Sequence, residues 1–202
     1  MRKFLPWIVV GGLLLIVAFW YVNIKNGAVK VNQEVSKEWG NVETAYQRRN
    51  DLIGNLVKTV KGAADFEKST LEAVTNARAS ASQVKIDPSN MTSEQLAQFN
   101  QAQGNLNSSL SRLLLTVENY PDLKANQNFL KLQDELASTE NQILTARTRF
   151  NESVQKYNNY ILVFPNSMFL GNYKEKPYFD AVAGAEKPVD VEFDFGNEKE
   201  AK

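Results

Sequence analysis

The sequence predicts an all-α protein, an elongated antiparallel bundle of three long helices plus a short C-terminal helical turn, placed after one N-terminal transmembrane helix. Three observations predict it. A run without charge fills residues 4–24, apolar positions then recur in threes and fours along three long stretches, and the prolines fall at the edges of those stretches or beyond them.

The apolar run is long enough, at a rise of about 1.5 Å per residue, to cross a hydrocarbon core of about 30 Å. Trp7 stands near one end and Trp20 with Tyr21 near the other, where amphipathic rings prefer the headgroup level. A cleaved secretory signal would share the basic start, Arg2 and Lys3. It would also need a shorter apolar stretch and small residues at the cleavage site, and Phe19-Trp20-Tyr21 supplies none. The reading is therefore an uncleaved anchor with its junction, residues 1–27. The flanks nearly balance in charge, Arg2 and Lys3 against Lys25, Lys30 and Lys37; the compact first pair favours an inside N-terminus and an extracytoplasmic bundle.

The bundle is expected over residues 28–179. From Ala28 to about Val84 one seam carries Val35, Trp39, Val42, Tyr46, Arg49, Ile53, Leu56, Val60, Ala63, Glu67, Thr70, Val74, Ala77 and Ala81. This reads as a single first helix, with Gly27 loosening its join to the anchor, and Pro88 ends it. Thr92 and Gln95 form a capping-box pattern that starts the second, whose seam is Leu96, Phe99, Gln103, Leu106, Leu110, Leu113, Val117 and Tyr120. A turn at Pro121 follows, with Asp122 placed to cap the third. Its seam runs through Phe129, Leu132, Leu136, Thr139, Ile143, Ala146, Phe150, Val154, Tyr157 and Ile161 and stops near Phe164-Pro165. Asn166–Leu170 reads as one more turn. Residues 180–202 read as an extended or disordered tail, although Val189-Asp190-Val191-Glu192-Phe193 alternates as a strand would.

Composition removes whole classes of function. The 202 residues include no cysteine and no histidine, so disulfides, thiolate nucleophiles, imidazole bases and the usual zinc ligands are absent. No catalytic residue, cofactor or metal site is predicted. Net charge is zero, so no global field draws the chain onto nucleic acid.

The segment from Tyr46 to Gly62, Tyr46-Gln47-Arg48-Arg49-Asn50-Asp51-Leu52-Ile53-Gly54-Asn55-Leu56-Val57-Lys58-Thr59-Val60-Lys61-Gly62, closely resembles the signature of the bacterial LemA family. Val117-Glu118-Asn119-Tyr120-Pro121-Asp122-Leu123 and the positions Glu140-Asn141-Gln142-Ile143, Ala146-Arg147, Phe150-Asn151 and Phe164-Pro165 look like its remainder. The resemblance implies a single-pass protein of the bacterial plasma (inner) membrane with an antiparallel helical bundle and no established enzymatic activity. Three positions depart from the family pattern: Gly54 replaces a common proline, Ala63 a common aromatic and Phe66 a common histidine. A metal or a proton held through that histidine cannot apply here. Gly54, mid-helix, predicts a kink or a close helix approach.

Charges on or beside the seam need partners if buried. Arg49, Glu67, Arg78, Glu118, Glu140 and Arg147 are the expected cross-helix ion network, with a structural role. Arg48 and Asp51, off the seam, and Arg49 are the candidate contacts for a partner or ligand. Two functions remain open: an interaction or scaffold module working with a membrane or envelope protein, and a sensor holding a small anionic ligand between helices. The lipid bilayer is the one partner named; association with further copies stays open.

Overall fold

The computed structural model describes residues 5–62 and 66–179. Arg2, Lys3, Ala63 and the tail from 180 onward, with its alternating stretch, lie outside the described residues. Among the described residues six helices follow in order: α1 Leu5–Lys61, α2 Lys68–Gln83, α3 Ser93–Val117, α4 Pro121–Lys124, α5 Gln127–Leu162 and α6 Asn166–Phe169. The fold is all-α, as the periodicity predicts.

α1 is unbroken for 57 residues, about 85 Å at the usual rise. Gly27 does not loosen it. The hydroxyl end of the Tyr160 ring of α5 reaches that position, and a methyl group there would overlap the hydroxyl, which donates to the Ile24 carbonyl at 3.1 Å. Gly27 is thus a packing glycine, needed for the approach of a neighbouring side chain.

The expected first bundle helix is two helices. α1 stops at Lys61, with Lys58 and Lys61 in its last turn facing the negative end of the helix dipole, and Gly62 follows with its amide on the Thr59 carbonyl. The chain reverses, and Glu67 begins α2 by accepting the Ser69 and Thr70 hydroxyls. α2 lies back along α1: Ser82 accepts from Asn50, and Arg78 covers Gly54 and donates to the Asn50 carbonyl at 3.0 Å. The close approach expected at Gly54 is therefore made by a guanidinium 3.0 Å from where a Cβ would stand. The seam survived the reversal because each arm of a helical hairpin keeps the same three-four spacing. The bundle therefore has four principal helices instead of three.

Asp87 accepts the Ser89 amide and closes the turn into α3, whose N-terminus carries the complete Thr92–Gln95 capping box. Asp122 falls inside α4, and the cap of α5 is Asn126, whose Oδ1 takes the amides of Asn128 and Phe129. α5 runs antiparallel to α1 for most of its length, pairing Lys156 with Glu34 and Glu140 with Arg49. After α6 the chain turns and climbs the bundle as an extended strap, residues 172–179. Lys174 and Lys176 offer carbonyls to Tyr157 and Asn158, and Phe179 exchanges two hydrogen bonds with Asn151.

The interior falls into two apolar clusters. The one nearer the apolar run centres on Trp39, ringed by Phe99, Phe150 and Phe179 at 5.5–6.0 Å between ring centroids. The farther one is mainly aliphatic, built from Ile53, Leu56 and Val60 of α1 against Val74, Leu106, Leu113 and Phe129. Between them lies a polar layer.

Candidate functional site

Each helix that crosses this layer brings a polar side chain to a seam position: Arg49 from α1, Gln103 from α3 and Thr139 from α5, all buried. The Arg49 guanidinium, only 1% exposed, donates to Gln103 Oε1 at 2.5 Å, Asn107 Oδ1 at 2.8 Å and Glu140 Oε1 at 3.0 Å. Its plane also lies over the Tyr46 ring, 4.9 Å from the centroid. Desolvating a guanidinium costs several kcal/mol, and these three oxygens with one aromatic face offset it. Arg49 Nε has no partner among the described residues. Such a layer can join only in register: sliding α5 by one turn would leave the cation facing Leu136 or Ile143.

Burial pushes the Tyr46 hydroxyl above its usual pKa, opposed by the nearby charges of Arg147 and Arg49. At the strap, burial pulls the Lys176 ammonium below its usual pKa, opposed by Asp87. Lys176 Nζ donates to the carbonyls of Pro88 and Ser89, so the strap clasps the α2–α3 turn.

Of the expected ion network, Arg49 and Glu140 meet and Arg147 reaches the Tyr46 hydroxyl beside them, while Glu67, Glu118 and Arg78 lie elsewhere. Glu67 serves its own helix start, Glu118 pairs with Lys124 on the surface, Arg78 reaches the α1 backbone, and Arg147 stacks over Phe179 at 4.6 Å. Glu67 and Glu118 missed the core because both lie at helix ends, where the chain turns away from the packed face. Arg48 and Asp51 are exposed, as their off-seam positions predict, and line an open groove of about 670 Å³ with Glu43, Tyr46, Lys85 and Glu135. Among the described residues no three acidic side chains converge to hold a metal ion.

Sequence reasoning placed Gln103 and Thr139 on their seams without joining them to Arg49. Three polar residues breaking three apolar seams was the available signal. Asn151, Asn158 and Lys176 left none, because their partners are backbone groups of the irregular strap and of the α2–α3 turn.

At the other end, Trp7 through Val22 project their side chains outward on every side, and this part of α1 is long and apolar enough to cross a membrane. Trp7, Trp20 and Tyr21 are exposed as anchors would be, and Tyr21 also packs edge-on against Phe169 of α6 at 6.0 Å.

A profile of the LemA family matches residues 38–193, most of the chain. The chain belongs to the LemA family. It is 26% identical to Protein LemA of Metamycoplasma hominis over 146 residues, which take in 72% of this chain and 63% of that protein. It is 25% identical to Magnetosome protein MamQ 1 of Paramagnetospirillum magneticum, and 26% identical to Magnetosome protein MamQ of Magnetospirillum gryphiswaldense; each match covers 81% of this chain and 67% of the relative. The chain thus spans just under two thirds of the LemA relative it matches. The polar layer falls inside the family match, and so do the strap and the surface carrying Arg48 and Asp51. The names of these LemA-family relatives designate no enzymatic reaction.

Proposed function

We propose that this LemA-family chain is a membrane-anchored interaction module of the bacterial plasma membrane, a stiff post that holds a helical surface at fixed distance and orientation from the bilayer for an envelope or membrane protein partner. The observation that carries it is the continuity of α1. One helix is anchor in its first third and core in its remainder, so there is no hinge at Gly27 to uncouple the two. A cleavable leader would have no reason to be built into the bundle, yet Tyr21 packs on Phe169 and Lys25 lies over both Tyr21 and Tyr173. An uncleaved anchor accounts for both.

The balance of charge along the surface groove supports contact with protein over capture of a small anion. Glu43, Asp51 and Glu135 outnumber Arg48 and Lys85 there, and Arg49, the cation an anion would have sought, is occupied by Gln103, Asn107 and Glu140. The exposed pair Arg48 and Asp51 is the surface we assign to the partner.

The test is photo-crosslinking in native membranes from Arg48 and Asp51, each replaced by a photoreactive residue, with a mock site at the exposed Lys68 that starts α2. A defined adduct from the first two positions and none from the third is expected. Recovery of the chain alone from all three sinks the reading. A C-terminal reporter fused to the full chain settles the side, active outside the cell for an extracytoplasmic bundle.

A further inference from the structure

The base of the bundle carries an apolar corner that neither the anchor nor the core uses. Leu162 ends α5, Val163 and Phe164 follow in the turn beyond it, and Met168 stands on α6; Phe164 is 80% exposed and Met168 72%. Elsewhere on the bundle exposed large apolar side chains stand singly, as Leu115, Leu130 and Leu144 do, which is ordinary for a soluble surface. Four within seven residues is a patch, and a patch on an otherwise polar domain marks a contact.

Two contacts fix its height. Tyr160, just before the corner, bonds to the Ile24 carbonyl, and Phe169, just after it, packs on Tyr21. The residues between must therefore lie beside the Tyr21–Ile24 turn of α1, the end of the apolar run. Lys25, over Tyr21 and Tyr173, marks the same level with a cation. Polar Asn166 and Ser167 separate the apolar members, with the Asn166 amide turned inward to the Tyr160 carbonyl.

We propose that Leu162–Met168 is a second membrane contact, an interfacial foot that inserts Phe164 and Met168 among the headgroups and upper acyl chains beside α1. This rests on α1 crossing the bilayer. The occupant is lipid because the patch is continuous with the exposed apolar surface of the anchor itself. A single spanning helix fixes depth but leaves tilt and rotation free; a second foot at its side sets both, and so sets which face of the bundle looks outward.

The absence of native cysteine makes single-cysteine spin labelling direct. The full chain in phosphatidylcholine–phosphatidylglycerol vesicles is labelled at Phe164→Cys and Met168→Cys, with Leu14→Cys as the anchor reference and Leu115→Cys and Leu144→Cys as bundle references. Collision with oxygen, which concentrates in lipid, is compared with collision with a water-soluble nickel chelate. Labels at 164 and 168 should favour oxygen several-fold, as at 14, while 115 and 144 favour nickel. Nickel-dominated signals at 164 and 168 with lipid-like signals at 14 overturn the foot and leave the anchor standing. Protection from both agents at 164 and 168 also overturns it, since the cover would then be protein. Water-like signals at 14 remove the anchor, and the foot with it. Unchanged helicity by circular dichroism confirms that each exposed substitution folds.

Discussion

At Arg49 a charge is held in the core by three side chains from two other helices, and the asymmetry of its main pair makes a sharp expectation. Glu140 is nearly half exposed, whereas Arg49 is not. Replacing Glu140 with Ala leaves a buried cation without its carboxylate and should cost about 3 kcal/mol, the low end for a broken buried pair because water reaches the vacated edge. Glu140→Gln keeps an acceptor and should cost about 1 kcal/mol. Breaking the exposed Lys68–Glu72 pair should cost under about 0.5 kcal/mol. Urea unfolding of the three variants gives the order. Tyr46, beneath the same guanidinium, sets a pH limit. Its folded pKa is raised by burial, so the folded state keeps its proton where the unfolded chain, with a pKa of about 10, has lost it. Its contribution is therefore fully present below about pH 10 and is lost as pH rises through the folded value. Tyr46→Phe should flatten that alkaline decline in melting temperature, leaving the share of Tyr157, whose hydroxyl burial also raises.

Among the elements, α1 shows how one residue type takes opposite meanings along a helix. Gly40 and Gly104 have open space where a Cβ would stand, and Gly27 does not. Alanine at 40 or 104 should therefore stabilise by about 0.5–1 kcal/mol through helix propensity and reduced freedom of the unfolded chain. Alanine at 27 should destabilise by about 1–3 kcal/mol through overpacking against Tyr160. The double variant Gly27→Ala, Tyr160→Ala should recover part of that loss, a coupling that thermal melts in a double-mutant cycle would measure; strict additivity would mean that the two side chains do not compete for one space. The N-terminus of α3 offers a simpler check: Thr92→Ala removes one side of a complete capping box and should cost about 1 kcal/mol.

The molecule as a whole has two apolar clusters joined by a polar layer, with the strap closing the cluster nearer the apolar run. Phe179 fills the space between Trp39, Phe99 and Phe150, so Phe179→Ala should cost about 3–5 kcal/mol locally. Hydrogen exchange should then quicken in α1 around Val35 and α5 around Val154, and change little around Leu56 and Leu106 beyond the layer. Uniform acceleration would mean that the layer does not divide the bundle into cooperative halves.

What the residues alone determined was local and periodic. An apolar run with aromatic ends, three-four seams, a Thr–x–x–Gln start and prolines at the edges each act within a few turns of one helix, so a first helix apolar enough to span a membrane, the helical class, most core positions and the α3 cap could be read directly. The exposure of Arg48 and Asp51 was legible for the same reason. What the tertiary structure decided was direction and partnership. The reversal at Gly62 left the seam unbroken, because packing constrains the spacing within an arm and is indifferent to the arm's direction. Arg49 chose Gln103, Asn107 and Glu140 over Glu67 and Glu118 because helix pairing, which no single segment encodes, brings those side chains to one level. Gly27 took its meaning from Tyr160, far along the chain, and the strap is held through its backbone amides and carbonyls, which carry no sequence signal.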